Sequence, residues 1–527
     1  MSINLASIQT PGVYIQELNA FPNSVVPVAT AVPVFIGYTP QANYQGKSYI
    51  NVPVPISSFS DFQAFFCFPD PAPPLPPAKQ YIPEYYLVPQ KGQPQKGDYL
   101  NSDGVYYSIV PDPSTIYYLY NSVRLFFQNG GSSAYIISVG GYGPPSGTPM
   151  TPGTQIVNPN VQLNDLLNGI ALLQNLQEPT MYICPEATLL SPANNETLMQ
   201  EMLLTASQTQ TAVCIFDIIG GNAPDPILYT NDIQNFRNST GSLGLNYGTA
   251  YYPFIGTTIM QDTDIDYTNL FGGNLSMLAP ILNPPSNPNP TVAAILANMS
   301  NPSSGLTVTQ NSNSLMVASS TYSTIIQHIL NDANILPPSG AMAGVITVTD
   351  GQGGPWLAPA NTSIVGAVSL PINLSTSQQA SLNVDAISGK SINAIRFFNG
   401  QGILIWGART LDGNSQDWRY LTVRRTMNYL EQSCKLAAQA YVFQPNDKNT
   451  WSAIIAMISS FLTSVWKQGG LMGASASDAF SVSCGLGSTM TADDILNGFM
   501  NVTVKVAVVR PAEFIVITFQ QQQAVSS

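Results

Sequence analysis

The chain holds a single histidine, His328, and that alone removes much of the chemistry open to a protein of 527 residues. A histidine-based zinc site needs a second imidazole. A Ser-His-Asp triad would have to use His328, and no G-x-S-x-G elbow accompanies it. His328 stands in STIIQHILNDA beside Ile325, Ile326 and Ile329, a spacing that reads as a helix-packing histidine. The five cysteines, Cys67, Cys184, Cys214, Cys434 and Cys484, are far apart and form no C-x-x-C pair, so they read as buried thiols. Gly389-Lys390-Ser391 ends like a phosphate-binding loop, but that pattern needs glycine where Val384 stands. Asp350-Gly-Gln-Gly-Gly354 runs into Pro355-Trp356 and reads as a loop. Asp262, Asp264 and Asp266 alternate like cation ligands, yet Tyr267 holds the position where a calcium loop turns on glycine. A solvated loop is the better reading there. No catalytic residue, cofactor site or metal site is assigned, and no enzymatic activity is expected.

Composition points the same way. Charged residues make up 9% of the chain, against about 25% in an average soluble protein. Asn, Gln, Ser and Thr supply the polarity instead, and a surface of that kind desolvates few ions when protein packs on protein. Net charge is −12. Residues 1–400 carry 8 Lys and Arg against 21 Asp and Glu, whereas residues 401–527 carry 9 against 8. An acidic bulk argues against nucleic acid as a partner. The N-terminus lacks the basic and apolar regions of a secretory signal, and no apolar run approaches the ~20 residues of a membrane span. Synthesis in cytoplasm and no direct membrane insertion are expected.

The elements that would position any site follow from periodicity. AVPVFIGY reads as a buried strand. From residue 114 a helix–strand alternation begins: TIYYLYNSVRLFFQN, then AYIISVG, VQLNDLLNGIALLQNL, TMYICP, a helix near 196–208, and AVCIFDI. That rhythm predicts an α/β layer domain. Residues 61–113, rich in Pro and Tyr, and 283–314, rich in Asn and Pro, read as loopy insertions. GILIWGA is a strand. A long helix over 418–442 carries Val423, Met427, Leu430 and Cys434 on one stripe. A second, over 451–468, is expected to be capped by Asn449 or Thr450. Thr491 and Asp494 form a capping-box-like start to a short helix.

Both termini end in short apolar strands, TPGVYIQEL at 10–18 and MNVTVKVAVVRPAEFIVITF at 500–519. Unpaired strand edges offer backbone donors and acceptors to a neighbouring chain, so the ends read as assembly devices.

Several stretches resemble contractile tail sheath proteins in the same order: TPGVYIQELNAFPNSVVPVATAVPVFIGYT, VRLFFQNGGSSAYIISVG, NYGTAYYPFI, PPSGAMAGVI, GPWLAPAN, NAIRFFNGQGILIWGARTL, WRYLTVRRTMNYLEQS, VFQPND, TMTADDILNG and VRPAEFIVITF. The resemblance implies a subunit of a helical sleeve around an inner tube, contracting to drive the tube through a target envelope. Implied partners are neighbouring sheath subunits, the inner tube protein, the baseplate and a terminal cap. It implies a multi-domain α/β (α+β) chain: an extended arm over 1–30, an inner domain of mixed sheet plus helices from 31–60 and 370–527, and outer domains over 61–113 and 114–369. Strand exchange between subunits is implied for Val13, Tyr14, Ile15 and Gln16 of the arm and for Val502, Val504, Val506, Val508, Phe514 and Val516 at the C-terminus. Arg409, Trp418, Arg419, Arg424 and Arg425 fall in the matching block. They read as scaffold paired with Asp412, Asp417 or Glu431, or as subunit or tube contacts. Lys435, Lys467, Asp493 and Asp494 are the other contact candidates. A baseplate or capsid component and an oligomeric α/β enzyme remain as alternatives.

Overall fold

The computed structural model describes residues 24–68, 82–94 and 97–518. They divide into two compact units. The large unit holds Ala29–Gln352 and Leu357–Arg425, and the small unit holds the residues up to Val28, Gly353–Trp356 and those from Thr426 onward.

The strands used below in the large unit are β1 (Pro33–Thr39), β2 (Val54–Ile56), β3 (Tyr85–Gln90), β4 (Tyr99–Ser102), β5 (Val105–Pro111), β6 (Ala134–Gly141), β7 (Met181–Ile183), β8 (Val213–Asp217), β9 (Gly248–Tyr252), β10 (Thr362–Ser363), β11 (Asn393–Phe398) and β12 (Gly402–Trp406). Nine of them form one sheet in the order β10-β12-β11-β9-β8-β7-β1-β6-β2. The six from β11 to β6 run parallel, and antiparallel strands close both edges. Strands β1, β7 and β8 are buried throughout, which is why they read as unbroken apolar runs. The flanking helices named here are α1 (Leu119–Gln128), α2 (Leu163–Ala171), α3 (Pro192–Thr209), α4 (Tyr229–Ser239), α5 (Ser320–Ala333) and α6 (Ser339–Gly353). This is the expected α/β alternation.

Two segments differ from expectation. Strands β3, β5 and β4 build an antiparallel sheet from the Pro/Tyr-rich stretch, and Tyr85, Leu87, Leu100 and Ile109 join the main hydrophobic core. Proline is tolerated because Pro89 lies on the edge strand and Pro111 ends its strand. The Asn/Pro-rich stretch holds two helices, Pro290–Met299 and Val308–Ala318. Its Asn and Pro start helices: Asn289 caps the first with Pro290 following, and Thr307 with Gln310 forms a capping box on the second.

Strand β1 and strands β11 and β12 all lie in the nine-stranded sheet, and the division falls after Arg425, within α7 (Leu421–Ala438).

The small unit contains α8 (Lys448–Lys467), α9 (Ala492–Leu496) and the strands β13 (Phe480–Cys484) and β14 (Val502–Val506). Leu430, Ile454, Ile458, Phe461, Leu462 and Val465 form the centre of its core, matching the predicted stripes. Asp447, not Asn449 or Thr450, caps α8, accepting the backbone N–H of both. The Thr491–Asp494 box starts α9 as expected.

Candidate functional site

In an open parallel sheet, ligands bind at the carboxyl ends of the strands where the spatial order reverses. Here the reversal lies between β1 and β7. The chain fills that crevice with its own carboxylate. Strand β7 leads into Cys184, Pro185 and Glu186, and Glu186 is fully buried. Its Oε1 accepts the backbone N–H of Leu119 at 2.8 Å and of Tyr118 at 3.3 Å, at the start of α1. Those are the donors a phosphate would take at a helix N-terminus. Oε2 has no hydrogen-bond partner and lies against Gly37, where a Cβ would stand 2.3 Å away. A side chain at position 37 would displace the Glu186 carboxyl. Burial pushes the Glu186 carboxyl up to about 8, against the pull of the backbone donors.

A second carboxylate repeats the arrangement. Asp217, the last residue of β8, accepts the Ser339 backbone N–H at 2.9 Å and its hydroxyl at 2.5 Å, at the start of α6. Burial pushes it up to about 7. Within the first two turns of α6, Gly340 and Gly344 meet α1: a Cβ on Gly340 would stand 2.3 Å from the Ser122 carbonyl oxygen. The motif PPSGAMAGVI therefore combines a cap and a close helix crossing. Both carboxylates anchor helices, and nothing in the sequence singled out either one.

The arginine block is internal to the large unit. Arg425 makes a bidentate pair with Asp350, at 2.9 and 2.6 Å, and donates to the Thr30 carbonyl at 2.9 Å. Arg424 lies over Trp418 and Tyr247, its guanidinium 4.3 and 4.6 Å from the ring centroids. Arg424 and Arg425, candidates for subunit or tube contact, are 3% and 4% exposed and present almost no surface. Asp350, expected in a glycine-rich loop, is in α6.

In the small unit, β14 pairs antiparallel with β13, placing Val502, Val504 and Val506 opposite Cys484, Val482 and Phe480. Val508 bridges Leu471, and Val509 donates to the Gly470 carbonyl. The stretch to Val509 thus has partners inside its own chain. The cause is burial, since Val502 and Val506 pack on the small unit's core with Phe480 and Val482. Among the described residues, the β13–β14 sheet has only these two strands. Beyond Val509, Phe514, Ile515, Val516 and Ile517 are 71%, 78%, 88% and 71% exposed. Val13, Tyr14, Ile15 and Gln16 lie outside the described residues.

Lys435, Lys467 and Asp493 are exposed on the small unit. Asp494 accepts the Thr491 N–H at 2.8 Å, which holds its carboxyl below the usual range. His328 lies 3.2 Å from Asp98 on a half-buried face of α5. Asp264 and Asp266 accept backbone N–H groups of their own turns. Among the described residues, no group of three or more His, Cys, Asp or Glu is placed to hold a metal ion, and no helix is long and apolar enough to cross a membrane.

The phage tail sheath C-terminal domain profile matches residues 414–522, which span most of the small unit. The tail sheath protein of Vibrio phage KVP40 is 30% identical over 145 residues, 27% of this chain. That match spans 21% of the phage protein's length. Two solved structures align over 98% of this chain. One is the sheath complex of the PVC extracellular contractile injection system in its contracted state, at 24% identity, 98% coverage of that chain and a TM-score of 0.56. The other is the contracted helical sheath of the anti-feeding prophage, at 25% identity, 100% coverage and 0.55. Residues 414–522 match the phage tail sheath C-terminal domain, and the chain shares the fold of these contractile sheath proteins. The matched profile takes in β13, β14 and the exposed apolar stretch after them.

Proposed function

We propose that the chain is the structural subunit of a contractile particle. It polymerises as a helical sleeve around an inner tube and contracts to drive that tube through a target envelope. Baseplate, terminal cap and inner tube protein are its further partners, and it is made and assembled in bacterial cytoplasm. The observation that carries this reading is the run of four exposed apolar residues, Phe514 to Ile517, directly after a two-stranded sheet. Such a run is poorly suited to solvent and well suited to extending a neighbour's sheet. Each backbone hydrogen bond gained adds about 0.5–1.5 kcal/mol. The arm over 1–30 is assigned the reciprocal role, so that subunits stay joined while domains rotate.

Electron microscopy of the purified chain tests this. The expected product is long sleeves, while a chain lacking residues 1–20 yields folded subunits without them. Ordered sleeves from the shortened chain would remove the arm from the mechanism. A second reading, a baseplate component, has support from the likeness to a chain of the anti-feeding prophage baseplate at a TM-score of 0.57. Discrete rings with no sleeves would favour it.

A further inference from the structure

Asn-Gly pairs occur at 129–130, 168–169, 399–400 and 497–498. Such a pair carries its own nucleophile and electrophile, the glycine amide nitrogen and the asparagine side-chain carbonyl carbon. Glycine has no Cβ to hinder their approach. The approach requires the Asn-Gly peptide to rotate, so the surroundings of each pair decide whether it reacts.

Three of the pairs are held. Asn129 is 4% exposed, and its Nδ2 donates to the Leu125 and Val365 carbonyls at 3.0 and 3.2 Å. Its Oδ1 accepts the Val365 N–H at 2.8 Å, and the Gly130 N–H donates to the Phe127 carbonyl at 3.1 Å. Asn168 and Gly169 lie inside α2, where a Cβ on Gly169 would stand 2.7 Å from Ile36 and Val139 of the sheet. Rotation there would break the helix ladder. Asn497 follows α9, its own N–H on the Asp493 carbonyl at 2.9 Å and the Gly498 N–H on the Ile495 carbonyl at 3.1 Å.

Asn399-Gly400 is different. It forms the tip of the turn between β11 and β12, and both residues are exposed. Gly400, at φ +78°, has nothing within 4 Å of where a Cβ would stand. Among the described residues, no hydrogen bond holds the Asn399 side chain or the Gly400 N–H. The bond across the pair runs from the Gln401 N–H to the Phe398 carbonyl at 3.1 Å. Rotating this peptide breaks that one bond.

We propose that Asn399 is a site of spontaneous covalent modification, converting to aspartate and isoaspartate through a cyclic imide. The Gly400 nitrogen loses its proton and attacks Asn399 Cγ. A C–N bond forms, and the side-chain nitrogen leaves as ammonia with the proton that the amide gave up. Water then opens the ring at either carbonyl. One opening gives aspartate. The other gives isoaspartate, whose main chain runs through Cγ and lengthens the turn by one carbon. Either product adds a negative charge beside Phe398, whose ring packs on Trp406 with centroids 4.5 Å apart. The proposal stands independently of sleeve formation.

The test is incubation of the full chain at neutral and mildly alkaline pH, followed by mass-spectrometric peptide mapping with trypsin and chymotrypsin. Isoaspartate is read separately with an isoaspartyl methyltransferase. Asn399 should convert at least about tenfold faster than Asn129, Asn168 or Asn497, whose reaction waits on local opening. Its rate should rise with pH, and isoaspartate should be among the products. In urea the four rates should converge. No conversion at Asn399, equal rates in the folded chain, or an advantage for Asn399 that urea leaves unchanged would each overturn the proposal. Aspartate without isoaspartate would overturn the cyclic route.

Discussion

Arg425 and Asp350 face each other through a two-point ion pair with both side chains almost fully buried, at 3% and 4% exposure. Asp350 sits in the last turn of α6, where the helix dipole disfavours an anion, and the guanidinium offsets that. Removing one partner strands the other. Asp350→Ala should therefore lower stability by about 3–5 kcal/mol, read as a fall in the urea midpoint. The Asp350→Ala/Arg425→Met double variant should recover part of that loss, because no buried charge is left unpaired. An unchanged midpoint in the single variant would show that solvent reaches the pair.

Glu186 links stability to pH. Its carboxyl is raised from an ordinary 4.5 to about 8, so the fold favours the protonated form. The sign follows: stability is full below 4.5 and falls as pH rises towards 8. Each pH unit in that window is worth about 1.4 kcal/mol. Asp217, Tyr117, Tyr118, Tyr142 and Cys184 face or surround the group and add no cation. Glu186→Gln keeps an acceptor for the N–H groups of Tyr118 and Leu119 and cannot ionise. It should melt close to the parent near pH 5 and clearly higher near pH 9. Parallel melting curves across that range would contradict the assignment.

Gly340 and Gly344 set the distance between α6 and α1, whereas Gly351 on the same helix meets nothing within 4 Å. The same substitution should thus act in opposite directions. Gly340→Ala drives a methyl into the Ser122 backbone carbonyl and should cost about 1–3 kcal/mol. Gly351→Ala should stabilise by about 0.5–1 kcal/mol through backbone entropy. Thermal unfolding of the two variants side by side checks the pair, and equal shifts would refute the crossing.

What the residues disclosed beforehand divides by range. The stripes of α7 and α8 and the Thr491–Asp494 box were legible because they depend on neighbours three or four positions away. Glu186 and Asp217 were not, because their partners Leu119 and Ser339 lie 67 and 122 residues distant in the chain. Only the strand order brings them together. Asn289 and Pro290 read as loop because the same residue types punctuate loops and start helices. The Met500–Phe519 stretch reads as two strands with one assembly role. Burial splits it, since Val502 and Val506 reach a core that Phe514 and Val516 do not.

That split separates folding from assembly at the C-terminus. Val506→Asp would set a charge against the edge of the small unit's core beside Phe480 and should cost about 1–2 kcal/mol in the isolated chain. Phe514→Ser/Val516→Glu changes residues 71% and 88% exposed, so melting should shift by no more than about 0.5 kcal/mol equivalent. If this tail extends a neighbour's sheet, that same variant should form no sleeves under the electron microscope, because the introduced carboxylate would have to be desolvated in the joint. Intact sleeves from a normally folded variant would place the joint elsewhere, leaving the open side of β14 as the surface to test next, by Lys505→Pro.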